Sequence, residues 1–365
     1  MLDLNCIESA LTSTGWNKAR VALLSQFIAG LLCLQTVSLT RLATVMPSPA
    51  KTGSNYRRLQ RFLAEFTFED ASIARLLARI ANVPQPWILA LDRTDWKLGK
   101  AHLNVLMLSV VAPGSKMAFP LLWTALEKEA GRGKAGASNT DERIALIERF
   151  LAVFGRQSLA YLCADREFVG EQWVKWLRAN NIAFRLRVKA DTLLSDGNGE
   201  LACADWMFRT LALGKEKYLS GRRTVFGQRD AVFVGCKRIG RRSEDDFLIV
   251  ISSEEFRIDD YAYRWGIETM FGAFKSRGFN LEATHVVRPD RLSCLIGVVA
   301  IAYCWALAVG EWINETAPLK LKKHGRQPVS TVRRGLDMLR PLAILLCANY
   351  KKASELNARR FLSCT

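Results

Sequence analysis

Residues 258–277, IDDYAYRWGIETMFGAFKSR, carry the most informative pattern in the chain. Four polar residues stand in it at spacings of three, four and seven positions: Tyr261, Arg264, Glu268 and Lys275. At about 100° of turn per residue, these spacings predict a helix that carries the four side chains on one polar stripe. Tryptophan, methionine and phenylalanine side chains between them would pack the rest of the helix into a core. The alternative interpretation is an ordinary amphipathic helix whose Arg264 pairs with Glu268 four positions later.

The composition describes a large, basic, globular protein. A chain of 365 residues with 50% hydrophobic content suggests two or more structural units. Its 52 lysines and arginines outnumber 35 acidic residues, and a net charge of +17 favours a polyanionic partner, either nucleic acid or an anionic membrane surface. The 9 cysteines form no C-x-x-C pair and there are only 3 histidines. We therefore expect a reducing cytoplasm and neither a disulfide framework nor a zinc site. The amino terminus also lacks the pattern of a secretory signal.

One apolar run, residues 292–310, contains no formal charge. Its length reaches the lower range for a membrane-spanning helix, which is the alternative interpretation. The run directly follows the striped segment, is flanked by Arg291 and Glu311, and contains serine, cysteine, tyrosine and two glycines. We therefore predict a helix buried on several faces inside a soluble domain.

The first 84 residues have helical periodicity throughout. The predicted helices are Asn17–Leu32, Leu39–Val45, Ser54–Glu65 and Ala71–Ile80, preceded by a short helix at Cys6–Leu11. The second and third of these resemble a helix-turn-helix arrangement, with a loop longer than that of the tight motif, in which the later helix enters a DNA groove. Its basic residues Arg57, Arg58 and Arg61 are the predicted DNA contacts; a plain basic solvent face is the alternative.

Strand-like runs begin after the proline-rich segment at residues 83–86. Three apolar runs separated by turns suggest an antiparallel meander, and a helix, a strand, a helix and a strand follow. That order is the order of an RNase H-like core, a mixed α/β sheet flanked by helices. The predicted regions are a helical DNA-binding domain (1–84), the first part of the core (85–190), a β-rich insertion (191–256), the last part of the core (257–313) and a basic helical region (314–365).

Two aspartates follow buried-type strands. Asp92 ends the run WILAL, and Asp165 ends the run SLAYLCAD. Strand alternation places Asp95 on the face opposite Asp92, so only Asp92 is expected in a shared site. Either aspartate could instead cap a following helix. If they join Glu268, the site offers three carboxylates, which are the ligands that magnesium prefers, and two magnesium ions can stabilise both oxygens of a phosphoryl transfer.

These motifs also carry a family resemblance. The spacing Y-(2)-R-(3)-E-(6)-K, the D-x-T context of Asp92 and the D-R-E context of Asp165 resemble the signatures of a large group of bacterial insertion-sequence transposases with a DDE, RNase H-like core. The resemblance implies that Asp92, Asp165 and Glu268 are the metal-binding, catalytic carboxylates. It implies that Tyr261, Arg264 and Lys275 hold the DNA end near Glu268.

The same resemblance suggests three further DNA contacts. Arg187 and Lys189 in FRLRVK correspond to residues that touch the DNA backbone. Phe247, at the start of the last strand of the β-rich region, stands where the family places an aromatic residue that stacks on a flipped base. The better-known family member has tryptophan there.

The sequence thus predicts a DNA transposase that binds terminal inverted repeats, cleaves the DNA and performs strand transfer with two Mg²⁺ ions, which Mn²⁺ could replace. We expect double-stranded DNA, both transposon ends and target, as its partner. The resemblance further implies a homodimer on DNA and a bacterial cytoplasmic, nucleoid-associated location; we expect no membrane and no small-molecule substrate. The alternatives are an RNase H-like nuclease without strand transfer and a non-catalytic DNA-binding derivative.

Overall fold

The structure is a computed structural model in which the chain forms two compact units. The helical unit comprises residues 1–82, 95–103 and 270–365, and the sheet unit comprises residues 83–94 and 104–269. The structure describes residues 8, 11, 14–98, 101–114, 117–126, 138–196, 198–240, 246–320, 322–323 and 327–362.

Four helices open the helical unit: α1 (Lys18–Leu34), α2 (Leu39–Val45), α3 (Thr52–Glu65) and α4 (Asp70–Ala81). They agree with the last four predicted helices to within a few residues; most of the predicted helix at Cys6–Leu11 lies outside the described residues. The side chain of Asn17 caps α1 by accepting a hydrogen bond from the backbone N–H of Ala19 at 2.9 Å. Apolar residues of α1, α3 and α4 are buried, and Phe62, Phe66 and Phe68 pack ring against ring in this core.

Two long helices complete this unit, α9 (Pro289–Thr316) and α10 (Thr331–Leu362). They approach so closely that a Cβ on Gly335 would lie 1.7 Å from the carbonyl oxygen of Ala306. By length and composition, α9 could cross a membrane, and α1 with α2 would be a second candidate if their 101° bend were one broken span. The apolar window of α9 is 78% buried, which agrees with the predicted burial of this helix on several faces.

The sheet unit is built on one mixed sheet. Within the described residues, the strand order is β3-β2-β1-β4-β5-β11-β10-β9-β6-β7, with β8 paired to β10. The strands are β1 (Trp87–Leu98), β2 (Ala101–Ala112), β3 (Met117–Leu126), β4 (Leu159–Ala164), β5 (Phe184–Val188), β6 (Leu193–Ser195), β7 (Leu201–Cys203), β8 (Glu216–Tyr218), β9 (Arg223–Val225), β10 (Gln228–Arg238) and β11 (Phe247–Ser252).

Helices cover the first part of this sheet. Helix α5 (Thr140–Phe154) follows β3, and α6 (Glu171–Ala179) links β4 to β5. Trp87 of β1 packs against the rings of Phe150 and Phe154 on α5. The predicted meander is present, since β1, β2 and β3 are neighbours in the sheet and β2 pairs antiparallel with β3. Strands β1, β4 and β5 are parallel to one another. This mixed α/β arrangement is compatible with an RNase H-like core.

Residues 193–252 extend the same sheet. Strand β11 pairs antiparallel with β5 through Ile249 with Val188 and Ser252 with Arg185, and β10 pairs antiparallel with β11. The short helix α7 (Ala204–Phe208) follows β7 and precedes β8 along the chain. The β-rich region therefore adds strands to the sheet that carries the predicted aspartates.

The segment around residue 264 differs from the single helix that the spacing predicted. A 3-10 helix covers Ile258–Arg264, and α8 then runs over Trp265–Phe274. Tyr261 and Arg264 are buried, with 1% and 3% exposure, whereas Trp265 is 58% exposed. The first half of the stripe therefore faces the protein interior, where Tyr261 packs with Ile258 on the buried Val250 of β11, whereas Glu268 and Lys275 are partly exposed.

Candidate active site

Strand register brings the two aspartates together. The parallel pairing of β1 with β4 ends at Leu91 opposite Ala164, so Asp92 and Asp165 both follow the last paired residues. Asp92 does not end its strand as expected, because β1 continues to Leu98 with a different neighbour on its other side. Carboxyl ends of neighbouring parallel strands lie at one edge of a sheet, which places both carboxylates at this edge.

Arg264 links Asp92 to Glu268. Its Nη1 lies 3.0 Å from Oδ2 of Asp92, and its Nη2 donates a hydrogen bond to Oε1 of Glu268. The guanidinium is almost completely buried, with 4% side-chain exposure. Burial disfavours its charged form, but Tyr261 and all three acidic residues, Asp165 included, raise its pKa above the usual value. One buried cation is therefore shared by the predicted carboxylates.

The carboxyl group of Asp92 has a strongly raised pKa. Burial raises its pKa to about 7, against the opposing effect of Arg264 and of a hydrogen bond from the backbone N–H of Arg93 at 2.8 Å. Asp165 and Glu167 raise that pKa further by repulsion. A carboxyl with a raised pKa in a polar cluster is typical of a functional site.

Asp165 has its own partners. The phenol of Tyr261 donates a hydrogen bond to its Oδ1 at 3.3 Å, and Nη1 of Arg187 lies 3.7 Å from the same oxygen. Burial holds the pKa of Tyr261 well above its usual value, so the phenol remains a donor. Continuing the β4–β5 register by one residue places Arg187 opposite Asp165. The structure therefore brings together Asp92, Asp165, Glu268, Arg264, Tyr261 and Arg187.

Sequence reasoning missed an ion pair beside this cluster. Nε of Arg93 lies 2.8 Å and 3.0 Å from the two carboxylate oxygens of Glu167. The buried Arg143 of α5 donates to the backbone carbonyl of Glu167 at 3.0 Å. These contacts tie the residue after Asp92 to the loop after Asp165. The D-R-E context contains Glu167, but no local spacing indicates a partner 74 positions away.

The remaining predicted residues lie elsewhere. Lys275 belongs to the helical unit, where it donates to the carbonyl of Asp95 at 2.8 Å and pairs with Glu282. Lys189 is exposed directly after β5. Phe247 begins β11, as predicted, and is partly buried under the guanidinium of Arg238.

The three basic residues of α3 differ in their surroundings. Arg57 and Arg61 are exposed and lie one helical turn apart. Arg58 is partly buried and donates to Ser48 at 2.8 Å and to Asn55 at 3.2 Å, which fixes the loop before α3. Of the three predicted DNA contacts on α3, Arg57 and Arg61 are thus the two whose side chains a partner can reach.

Comparison with known proteins identifies the family of this chain. Residues 84–305 match the transposase DDE domain family. The chain belongs to this family. No curated protein matches this DDE transposase. Among solved structures, endonuclease V from Bacillus subtilis is similar at 10% identity over 64% of this chain and 92% of that chain, with a TM-score of 0.27; a likeness of that size adds nothing to the assignment.

The donor set suits the divalent ions that DDE transposases generally use. Asp92, Asp165 and Glu268 offer carboxylate oxygens, which hard cations such as Mg²⁺ prefer. Within the described part of the chain, no three His, Cys, Asp or Glu side chains are placed so that they could hold a metal ion together. Instead, the guanidinium of Arg264 lies between two of these acids, Asp92 and Glu268. These two carboxylates therefore share a positively charged side chain as their partner.

Proposed function

We propose that this transposase cleaves DNA at terminal inverted repeats and joins the ends to target DNA, with Asp92, Asp165 and Glu268 as its catalytic carboxylates. The observation that carries the proposal is the shared position of these acids: Arg264 pairs with Asp92 and Glu268, and the β1–β4 register sets Asp165 beside Asp92. The three residues lie 73 and then 103 positions apart in the sequence, and ordinary surface ion pairs would not gather them.

Each side chain of the cluster has a role in phosphoryl transfer. The three acids would hold two Mg²⁺ ions, which when bound stabilise the attacking and leaving oxygens. Arg187, which is only partly buried, presents a cationic group at the same edge, where a DNA phosphate needs one, while the buried Arg264 and Tyr261 hold the acids that they contact. Because the acids would repel that phosphate, Arg187 is the group that orients it.

DNA recognition is proposed for the exposed face of α3. Arg57 and Arg61 carry two positive charges on one side of the helix, in a chain with a formal charge of +17. Lys189 and Lys275 would add contacts to the DNA backbone, and a homodimer on DNA would hold both transposon ends. Mn²⁺ should substitute for Mg²⁺, since it accepts the same oxygen ligands.

The test compares binding and cleavage on one labelled end fragment. Asp92→Asn, Asp165→Asn and Glu268→Gln should each bind the fragment at least as well as the parent, because each removes a charge that repels phosphate. Each should lose nicking and strand transfer by several orders of magnitude in magnesium. A gel shift beside a cleavage gel measures both properties.

Asp95→Asn is the matched control. Asp95 lies three positions from Asp92 on β1, but its carboxylate pairs with His102 at 2.9 Å, so the variant should cleave normally. Near-parental cleavage by any of the three acid variants, or an equal loss in Asp95→Asn, would contradict the assignment. Cleavage without joining to target DNA would indicate a nuclease rather than a transposase.

A further inference from the structure

The D-R-E motif contains a second acid, Glu167, to which the proposed catalysis gives no role. Its two carboxylate oxygens lie 2.8 Å and 3.0 Å from Nε of Arg93. The side chains of this pair are partly exposed, Arg93 at 19% and Glu167 at 30%. Arg93 directly follows Asp92, and Glu167 lies two positions after Asp165. The ion pair therefore joins the two chain segments that carry the aspartates.

Arg93 also contacts Asp92 through its backbone. Its N–H donates a hydrogen bond to Oδ1 of Asp92 at 2.8 Å, while Oδ2 of Asp92 pairs with Arg264. Both oxygens of this carboxylate thus have a partner that fixes their direction. Arg93 orients the first aspartate with its main chain and holds the segment of the second aspartate with its side chain.

The segment that contains Glu167 is a tight turn. The N–H of Phe168 donates to the carbonyl of Asp165 at 2.9 Å, and the ring of Phe168 is fully buried with the guanidinium of Arg143 5.1 Å from its centroid. Arg143 also donates to the carbonyl of Glu167 at 3.0 Å. These contacts anchor the backbone of the turn to α5. The side chain of Glu167 then links the anchored turn to the strand of Asp92.

We propose that Arg93 and Glu167 are positioning residues, which hold Asp92 and Asp165 at the separation that a shared divalent ion requires. The inference deepens the proposed function, on which it rests. Strand β1 pairs with β4 only as far as Leu91, so the two aspartates lie just beyond that pairing. Their like charges repel, and a displacement of about 1 Å in a reacting group can lower a rate roughly 100-fold.

Two other roles for Glu167 give different expectations. If Glu167 were itself a metal ligand, its function would not depend on Arg93. If the pair stabilised only the fold, its loss would change little, because partly exposed ion pairs contribute weakly to stability. Metal affinity would then stay at the value of the parent. A positioning pair instead predicts that both residues affect metal affinity, and that they do so together.

The experiment measures two quantities for each variant: the Mg²⁺ concentration at half-maximal cleavage of the end fragment, and the rise in melting temperature that Mg²⁺ causes without DNA. Contacts that orient metal-binding side chains typically contribute roughly 10- to 100-fold to metal affinity. Arg93→Ala and Glu167→Ala should therefore each need at least about 10-fold more Mg²⁺ for half-maximal cleavage. Each should also show a smaller rise in melting temperature at a given Mg²⁺ concentration.

Two further variants separate a positioning role from a merely structural one. The double variant Arg93→Ala with Glu167→Ala should need no more Mg²⁺ than the worse single variant, because the first substitution already removes the contact. Arg93→Lys should recover part of the Mg²⁺ response, since it keeps a cation beside Glu167. In EDTA, the melting temperature of the alanine variants should differ from that of the parent by no more than about 4 °C.

Arg20→Ala and Glu65→Ala are the matched controls. This ion pair, at 3.5 Å, joins α1 to α3 in the helical unit and is also partly exposed, at 35% and 56%. Both controls should keep the Mg²⁺ response of the parent. Equal shifts in the controls, additive losses in the double variant, or a loss in Glu167→Ala with a normal Arg93→Ala would overturn the proposal. Arg93→Lys, with an expected intermediate shift, serves if an alanine variant does not fold.

Failure of this inference and failure of the proposed function give different results. The effect of Mg²⁺ on melting requires neither DNA nor cleavage. A melting response that depends on Arg93 and Glu167, in a parent that cleaves no DNA, would reject only the proposed function. Cleavage by the parent, together with a parental Mg²⁺ response in both alanine variants, would reject only the positioning role.

Discussion

At the scale of single residues, Arg264 joins two acids of the site, Asp92 and Glu268. Its guanidinium is buried with 4% exposure and pairs with Asp92 at 3.0 Å. Removing one partner of a buried pair leaves the other charge uncompensated, which is far more costly than losing an exposed pair. The acid cluster and this arginine therefore form one electrostatic unit.

Arg264→Ala should lower the free energy of unfolding by roughly 3–5 kcal/mol in the absence of divalent ions. Magnesium should recover part of the loss, because it can take over the charge of the missing guanidinium. Urea denaturation in EDTA and in magnesium measures both effects. Arg333→Ala is the control, since Arg333 forms an exposed pair with Asp337 and should cost less than about 1 kcal/mol. Equal costs for the two variants would disprove the buried role.

The raised pKa of Asp92 predicts a pH dependence. Burial raises it from 3.8 to about 7, so the folded protein keeps a proton that the unfolded chain has lost. This contribution to stability is complete below pH 3.8 and is lost as the pH rises through about 7. From about pH 5 to pH 8 in EDTA, Asp92→Asn should therefore lose less stability than the parent does. Parallel stability profiles for the parent and the variant would refute this prediction; Asp95→Asn should follow the parent.

At the scale of secondary structure, close helix packing depends on two glycines. A Cβ on Gly310 of α9 would lie 2.0 Å from the carbonyl oxygen of Thr331, and a Cβ on Gly335 of α10 would lie 1.7 Å from that of Ala306. These contacts are with backbone, which cannot move aside as a flexible side chain can. Any larger residue must push the two helices apart.

Gly335→Ala should destabilise the protein by roughly 1–3 kcal/mol despite the better helix propensity of alanine. Gly53→Ala provides the comparison, because Gly53 lies in the first turn of α3 with no heavy atom within 4 Å of the added Cβ. That change should be neutral or should stabilise by up to about 1 kcal/mol. Thermal unfolding of both variants tests this prediction. An unchanged stability of Gly335→Ala would show that the two helices can move apart at no cost.

The elements show what local pattern can predict. Helices α1 to α4 and the three-strand meander follow from periodicity, which is a local property of the chain. The helix at residues 258–277 was predicted with the wrong geometry: its first seven residues are a 3-10 helix, and Tyr261 and Arg264 are buried. Exposure depends on which surface a helix meets, and Tyr261 and Arg264 face acids that lie about a hundred or more positions earlier.

Side-chain partners between distant segments were harder still. The acids Asp92 and Asp165 could be proposed because each follows a strand-like run. The Arg93–Glu167 pair could not, since it depends on strand register and on loop paths. Motifs predict residue types, and tertiary structure alone determines which of them meet.

At the scale of the whole molecule, the amino-terminal helices are part of a larger unit. Residues 1–82 form one compact unit with residues 270–365, and a Cβ on Gly297 of α9 would lie 2.4 Å from the ring of Phe68. Deleting the first 84 residues would therefore expose α9 as well as remove α3. Point substitutions are the cleaner test of DNA recognition.

The double variant Arg57→Ala with Arg61→Ala should lose specific binding to transposon ends. Non-specific binding by the basic surface should remain, and the slope of log affinity against log salt should fall by about 2. Arg75→Ala with Arg79→Ala is a control of equal charge, because these residues are exposed one turn apart on α4. Gel shifts on specific and random duplexes compare the pairs, and equal losses would point to net charge alone.

The long sequence separation of the acids has a consequence for protein synthesis. Arg264 meets Asp92 across 172 positions, so a growing chain on the ribosome has no complete site until residue 268 has emerged. Chains that stop between residues 165 and 268 contain α3 and both aspartates, but they lack the third acid and the helices α9 and α10, which belong to the same compact unit as α3. Such fragments would neither cut DNA nor present α3 on a complete helical unit. A premature stop codon before residue 268 would then leave an inactive product rather than a stray nuclease.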